Sequence, residues 1–307
     1  CMFHMMNEAR IGVGTAATML GMAGYYASLD YAKNRPQGRP VGPGGKDAAQ
    51  AQIRIIEHAD VKRMLLAQKS YCEGALALEL YCARLVDEQH TGTPEAADDA
   101  RLLLEVLTPI AKSWPSEWAL EANSQAIQVL GGAGYTRDFP VEQYWRDNRL
   151  NMIHEGTHGI QGMDLLGRKV LGDGGAKLTK FGKIVGRFVK ENADNEAMQE
   201  FTKPLAELGE KVQAFTMEIG MKGMQNPDEV GAASFDYLRV VGHLVYAYFF
   251  ARSAKIALEK QGDEPFYKAK LATTRFYFAK LVPEVETAMI TAKAGLAPLM
   301  EMDEALF

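Results

Sequence analysis

Apolar residues recur at helical spacing through nearly the whole chain, and this periodicity constrains the fold more than any other feature. Helices are predicted over residues 5–33 and 50–88. No alternating β-branched run and no hairpin dipeptide between apolar segments precedes residue 130. The first half is therefore predicted to be an all-α, antiparallel four-helix bundle.

The rest of this half is divided by prolines and glycines. The proline- and glycine-rich segment 34–45 is predicted to be a loop, and residues 90–99 a turn. A third helix is expected from residue 102 to 130, with an interruption near Pro115.

The run Gly172–Gly175 is predicted to end a helix and to separate two domains, residues 1–172 and 173–307. The second domain is again expected to be a helical bundle, with helices over 177–192, 195–224, 228–260 and 264–301. Its segment 235–258 is apolar nearly all round, which predicts a central, buried helix.

Composition excludes several function classes. The net charge of -5 gives no basic surface for nucleic acid, and no apolar run reaches the ~20 residues that span a bilayer. The three cysteines have no metal-ligand spacing, which favours a reduced, cytoplasmic setting. Because the chain begins with Cys-Met in an apparent helix, it is expected to be a fragment of a longer protein.

Glu155 is the acid in the most constrained setting. It follows an apolar segment and precedes Gly156, which permits an abrupt turn, and Thr157, a candidate N-cap for a helix over 158–171. Partial desolvation by Met152 would make Glu155 a stronger base. On spacing alone, a capping or surface glutamate is the simpler interpretation.

Two further motifs are ambiguous by themselves. His154 and His158 have the i, i+4 spacing of metal ligands, but the intervening Gly-Thr break should keep them off one helical face, so no metal site is predicted. The glycines of QVLGGAGY (128–135) allow close approach of a ligand or simply end a helix. Without a preceding strand they do not predict a Rossmann fold.

The stretch QVLGGAGYTRDFPVEQYWRDNRLNMIHEGTHGIQ (128–161) resembles the C-terminal helical domain of the acyl-CoA dehydrogenase family. The resemblance extends upstream through MMNEARIGVG and YAKNRPQGRP, and covers about residues 5–171. It implies that Glu155 removes the α proton of an acyl-CoA thioester. It also implies that the FAD contacts are Arg35, Gln37, Gln128, Gly131, Gly132 and Thr157, and that the substrate contacts are Arg10, His154 and Gly156. In relatives, Arg35 and Gln37 reach the flavin of a neighbouring subunit.

The tail from 175 to 307 is similar to the extra helical domain of a subgroup that includes 3-methylmercaptopropionyl-CoA and broad-range fatty acyl-CoA dehydrogenases. The resemblance implies an FAD-dependent oxidoreductase of fatty acid β-oxidation that forms a trans-2-enoyl-CoA. It further implies an electron-transfer flavoprotein or similar acceptor and a homodimer or larger homo-oligomer. His154 stands where many relatives have tyrosine, and the family's N-terminal helical and middle β domains are not in this chain.

Two other classes remain open from the sequence. The chain could be a catalytically incomplete helical module for oligomerisation that contributes to a flavin site. Alternatively, it could belong to a dehydrogenase-like protein that binds DNA, against which its net acidity counts.

Overall fold

A computed structural model describes residues 2–43, 45–260 and 264–307. Cys1, one of the three cysteines considered above, lies outside them, and so does Gly44 of the predicted loop. The helices are α1 (Met2–Asn34), α2 (Ala59–Thr91), α3 (Pro94–Leu130), α4 (Gly132–Tyr135), α5 (Val141–Asn148), α6 (His158–Met163), α7 (Ala176–Glu191), α8 (Gln199–Gln225), α9 (Asp228–Glu259), α10 (Pro265–Phe276), α11 (Glu284–Lys293) and α12 (Ala297–Met300). A two-residue antiparallel hairpin, β1 (Val41–Gly42) with β2 (Gly45–Lys46), lies in the first loop. The all-α prediction is confirmed.

The second helix begins at Ala59, so its predicted start at residue 50 is wrong. The backbone before α2 forms hydrogen bonds with the loop after α1: Gln37 N donates to Ile53 O at 2.9 Å, and Ile55 N donates to Arg35 O at 2.8 Å. These bonds tie residues 53–55 to the proline-rich loop, and a 3-10 turn, Ile55–Glu57, leads into α2. Backbone groups that bond to the loop cannot also form helical hydrogen bonds.

The predicted turn over residues 90–99 is also too long, because α2 continues to Thr91 and α3 begins at Pro94. The Thr93 side chain accepts a hydrogen bond from Ala96 N at 3.3 Å, and Pro94 lies in the first turn of α3. An N-cap followed by proline is a favourable helix start, which leaves only Gly92 and Thr93 between the two helices.

The third helix is continuous through Pro109 and Pro115, so the predicted interruption is wrong. A proline inside a helix removes one hydrogen bond and frees the carbonyl four residues earlier. Both prolines are buried in α3, which packs against α1 and α2, and this packing compensates for the lost bonds. At Ala111, four residues before Pro115, the carbonyl oxygen lies only 2.1 Å from where a Cβ on Gly14 would be. Gly14 therefore permits the close approach of α1 to α3.

One hydrophobic core joins the two halves of the chain. The central helix is α9, as predicted, and Tyr237 and Tyr246 on it are fully buried. The Trp114 ring of α3 lies 4.7 Å from the Tyr246 ring, and Gly242 has no side chain to block this contact. Side chains pack across the predicted domain boundary after residue 172. The boundary itself stays a prediction.

Two predicted helices are divided. Residues 158–171 form α6, a π-helical segment (Asp164–Val170) and the start of a 3-10 turn (Leu171–Asp173). Residues 264–301 form α10, a π-helical segment (Tyr277–Leu281), α11 and α12, with breaks at Pro283 and at Gly295, whose φ is 75°. Among the described residues, no helix combines the length and apolarity needed to cross a membrane.

Candidate active-site loop

The loop between the 3-10 turn Arg149–Met152 and α6 has a strained backbone. Glu155 has a φ of 57° and Gly156 a φ of 97°. Among the described residues, Glu155 is the only non-glycine residue with positive φ. This conformation costs a residue with a side chain about 1–2 kcal/mol, and such residues cluster at functional sites. The strain makes Glu155 a functional candidate independently of any sequence motif.

Two buried side chains bind this loop from below. Lys112 Nζ donates to Gly156 O at 2.6 Å, and Gln161 Nε2 donates to Glu155 O at 2.9 Å. Both Lys112 and Gln161 have no exposed surface. The carbonyls of two successive left-handed residues are thus satisfied by side chains from α3 and α6.

The Glu155 side chain itself is exposed, so the expectation of partial desolvation is wrong for this chain. The apolar residues beside it do not cover it: Ile153 is 50% exposed and Ile160 is 57% exposed. Met152 is turned toward a cavity between α2, α3 and α9. The carboxylate thus lies on an open surface with apolar side chains around it.

Positive charges lie beneath the loop. Arg10 Nη1 forms a buried ion pair with Asp164 Oδ2 at 2.7 Å, and Asp164 Oδ1 also pairs with Arg168 at 2.5 Å. Burial lowers the pKa of Lys112 to about 8; the nearby Arg10 contributes to this shift, and Glu155 opposes it. Arg10 and Glu155 thus both influence the charge of Lys112. The role of Arg10 as a substrate contact stays a prediction.

The two histidines have different surroundings. His154 Nδ1 lies 2.9 Å from Leu150 O, whereas the buried His158 bonds through Nδ1 to Ser113 Oγ on α3. Burial, reinforced by Lys112, lowers the pKa of His158 to about 4, so its ring is neutral at pH 7. In the described ranges, no group of three or more His, Cys, Asp or Glu side chains could hold a metal ion.

Thr157 takes the N-cap position of α6, but its side chain makes no capping hydrogen bond. Only its backbone contributes, since Thr157 O accepts from Gln161 N at 3.0 Å. The predicted capping role of the Thr157 side chain is therefore wrong. The exposed hydroxyl is left available on the same surface as Glu155.

The remaining predicted contacts lie at the other end of the first bundle. Gly131 ends α3 with a φ of 62°, and a Cβ on Gly131 or Gly132 would meet nothing within 4 Å. Gln128 is exposed beside them, as are Arg35 and Gln37 in the loop after α1. The rings of Tyr31 and Phe139, 5.5 Å apart, join that loop to the segment after the glycine turn.

The two groups of predicted site residues are far apart within one chain. Arg10 and Asn34 lie 24 positions apart on α1, which corresponds to about 36 Å. Arg35 follows Asn34 directly. Lys112, which binds the Glu155 loop, and Gln128 lie 16 positions apart on α3, about 24 Å, so this loop and the glycine turn cannot contact the same part of one small ligand.

Sequence reasoning missed Lys112, Ser113, Gln161 and Asp164. A signal for the first was present: Lys112 lies in the run LTPIAKSW, where a charge interrupts an otherwise apolar helix. A lysine in such a run must be buried or must bend the helix toward solvent. The carbonyl that it binds could not be identified without the structure.

Comparison with known proteins identifies two family domains. Residues 45–171 match the family described as "Acyl-CoA dehydrogenase, C-terminal domain", and residues 181–303 match "Acetyl-CoA dehydrogenase C-terminal like". The 3-methylmercaptopropionyl-CoA dehydrogenase of Ruegeria pomeroyi is 34% identical over 92% of this chain and 48% of its own length. The broad-specificity linear acyl-CoA dehydrogenase FadE5 of Mycobacterium tuberculosis is 31% identical over 100% of this chain and 52% of its own.

Solved structures share the fold. A Bacillus anthracis acyl-CoA dehydrogenase complexed with FAD aligns with a TM-score of 0.73 at 17% identity, over 99% of this chain and 51% of that one. Acyl-CoA oxidase 1 of Yarrowia lipolytica aligns with a TM-score of 0.71 at 12% identity, over 98% of this chain and 47% of that one. The chain thus spans about half the length of the relatives that it matches.

Proposed function

Since the chain belongs to the acyl-CoA dehydrogenase family, we propose that it supplies the catalytic base for FAD-dependent α,β-dehydrogenation of an acyl-CoA thioester. The product is a trans-2-enoyl-CoA, and Glu155 is the base. The observation that carries this proposal is the positive φ of Glu155, which holds its carboxylate on an exposed surface above buried, bonded residues.

The chemistry of the proposed step is a proton transfer. The thioester acidifies the α carbon, and the Glu155 carboxylate accepts the α proton. A positioned carboxylate base contributes ~10²–10⁴-fold to the rate. A bound flavin would supply the acceptor for the hydride that leaves the β carbon.

The predicted substrate contacts are Arg10, His154 and Gly156. Arg10 is 5% exposed and bonded to Asp164, but its Nε has no hydrogen-bond partner. We propose that Arg10 acts on the thioester mainly through its charge. His154 lies partly exposed next to Glu155 and can contact the acyl-CoA directly.

The predicted flavin contacts fit an external ligand. Arg35, Gln37 and Gln128 are exposed polar side chains, and the space around Gly131 and Gly132 is open. Arginine and amide side chains beside open backbone suit the phosphates and ribose of FAD. Because these residues lie far from the Glu155 loop, about 24 Å along α3 from Lys112 for Gln128, we propose that they bind the flavin of a second subunit in a homodimer or larger homo-oligomer. Thr157 would contact the flavin that serves Glu155.

The test is Glu155→Gln in the full-length protein, assayed with a panel of acyl-CoAs and an artificial electron acceptor. We expect turnover to fall at least ~10²-fold, because the amide cannot accept the proton, while flavin absorbance is retained. Glu210→Gln, which changes an exposed acid on α8, is the matched control and should leave turnover unchanged. Full activity of Glu155→Gln would refute the assignment. Replacing the artificial acceptor by an electron-transfer flavoprotein tests the proposed physiological partner.

The exposure of Glu155 favours a second candidate for the chain by itself. An uncovered carboxylate does not exclude water, so these 307 residues alone could be a flavin-contributing, oligomerising module without turnover. Flavin absorbance and acyl-CoA turnover of the purified chain distinguish the two. Flavin binding without turnover supports the module.

A further inference from the structure

We propose that Lys112 and Gln161 are positioning residues for Glu155. Together they clamp the two successive carbonyls of the left-handed turn, Lys112 Nζ on Gly156 O and Gln161 Nε2 on Glu155 O, at 2.6 and 2.9 Å. The clamp fixes the direction in which the Glu155 side chain leaves the backbone. The kinetic part of this inference rests on the proposed function, whereas the conformational part does not.

The turn needs such a clamp because its backbone has no regular partners. Glu155 and Gly156 both have positive φ, and the backbone bond that begins α6 runs from Gln161 N to Thr157 O, so the carbonyls of Glu155 and Gly156 precede the helical bonds. The Glu155 side chain is exposed, and its neighbours Ile153 and Ile160 are exposed as well. Side chains on the exposed side of the turn therefore do not hold it, and the hydrogen bonds from Lys112 and Gln161 must do so.

The two donors are suited to this task by their own rigidity. Lys112 projects from the buried centre of α3, and Gln161 from α6, whose backbone N also bonds to Thr157 O. A Cβ on Gly156 would lie 2.7 Å from Gln161 Nε2, so the amide is packed directly against the turn. Glycine at position 156 is thus required both by its φ of 97° and by the clamp.

Lys112 contributes little net stability to the fold. It is fully buried, and burial lowers its pKa to about 8. A buried lysine that donates to a neutral carbonyl loses hydration without gaining a closely bonded counter-charge, and methionine of similar length avoids that cost. Lys112→Met removes that cost but leaves Gly156 O without its donor, so the two effects on stability oppose each other.

The conformational test uses the 307-residue chain itself. Its sequence contains three Gly-Thr pairs, Gly14–Thr15, Gly92–Thr93 and Gly156–Thr157. Labelling with carbonyl-¹³C glycine and ¹⁵N threonine therefore selects three NMR signals, and Thr157→Ser identifies the third by removing it. In Lys112→Met and in Gln161→Met, we expect the third signal to shift and to broaden, while the Gly92–Thr93 signal stays.

The exposed Lys183 provides the matched control, and Lys183→Met should move none of the three signals. An unmoved Gly156–Thr157 signal in both clamp variants would overturn the inference. If Lys112→Met fails to fold, Gln161→Met decides the question, since it removes the other half of the clamp and keeps the lysine.

The kinetic test uses the full-length protein with flavin bound. We expect kcat to fall about 10–100-fold in Lys112→Met and Gln161→Met, because a displaced base loses the near-attack geometry. KM should change less than about threefold, and the urea midpoint of Lys112→Met should change little, because relief of the buried ammonium offsets the lost bond to Gly156 O. Unchanged kcat in both variants, or a loss confined to stability, would overturn the positioning role. Full activity in Glu155→Gln would instead refute the proposed function, while the NMR signal would still decide the clamp.

Discussion

The interiors of the two bundles are built from different side chains. In the first bundle, α1–α6 with the π-helical segment after α6, the buried groups include Arg10, Lys112, Asn123, Asn148 and Asp164. In the second bundle, α7–α11, buried rings dominate, with Phe181, Phe201, Phe215, Tyr237 and Tyr277 all at 1% exposure or less. The polar side chains of the first interior hold backbone segments in position through hydrogen bonds, and the rings of the second interior contribute apolar packing.

The asparagines of the first bundle illustrate its design. Asn148 Nδ2 donates to Asn123 Oδ1 at 2.7 Å and to Ala17 O at 3.2 Å, and Asn148 Oδ1 accepts from Asn151 Nδ2 at 2.9 Å. Asn123 in turn donates to Leu20 O at 2.9 Å. This chain of bonds ties α1, α3 and α5 to the turn that precedes Glu155. Hydrogen bonds specify geometry because they are directional, whereas the hydrophobic effect is not.

The largest effect is expected from removing a ring in the second bundle. Phe215 is 1% exposed, and its ring stacks on Tyr237 with centroids 5.7 Å apart. Phe215→Ala should lower the free energy of unfolding by about 3–5 kcal/mol through lost burial and a cavity. Urea denaturation measures this. Phe307→Ala, at a residue 94% exposed, is the control. A loss below about 1 kcal/mol for Phe215→Ala would contradict the contrast between the two interiors.

A smaller effect is expected from breaking the asparagine network. Asn148→Ala removes the partner of Asn123 Oδ1 and of Asn151 Nδ2, and should cost about 1–3 kcal/mol of stability. Unlike Phe215→Ala, it should also reduce turnover of the full-length protein, because it loosens the turn before Glu155. The exposed Asn195 on the second bundle serves as the control through Asn195→Ala. An equal loss of turnover in Phe215→Ala and Asn148→Ala would contradict the proposed difference between the two interiors.

The smallest change in stability is expected near pH 5, from substitution of Glu79, a buried acid of the first bundle. Burial raises the pKa of Glu79 well above its usual value of 4.5, and neither of its carboxyl oxygens has a hydrogen-bond partner. The folded state thus binds this proton more tightly than the unfolded state, and stability must fall as pH rises above about 4.5.

Glu79→Gln removes this titration. The free energy of unfolding of the variant should therefore rise relative to that of the native protein between pH 5 and pH 7, by at most about 1.4 kcal/mol per pH unit. Urea midpoints across that range measure the difference. Glu210→Gln, at an exposed acid, should show no such gain. A constant difference between native protein and Glu79→Gln would mean that the carboxyl is already ionised in the fold.

Much of the fold was predictable because helical periodicity is a local property. The segments around α1, α7, α8 and α9 were placed within a few residues, and the burial of α9 followed from its apolar surface. The errors arose where tertiary contacts override local signals. Pro115 does not break α3 because residues 106–116 of that helix are all buried, and residues 50–54 are not helical because residues 53–55 pair with the loop at Arg35–Gly38.

The sequence by itself determined the helical class, the family resemblance and Glu155 as the candidate base. These depend on residue type and spacing, which are written in the chain. Only the tertiary structure decided that Glu155 is exposed, that its turn is left-handed and that Lys112 and Gln161 hold it from below. Lys112 is 43 positions from Glu155 in the sequence, and only packing of α3 beneath the loop brings its amine within 2.6 Å of Gly156 O.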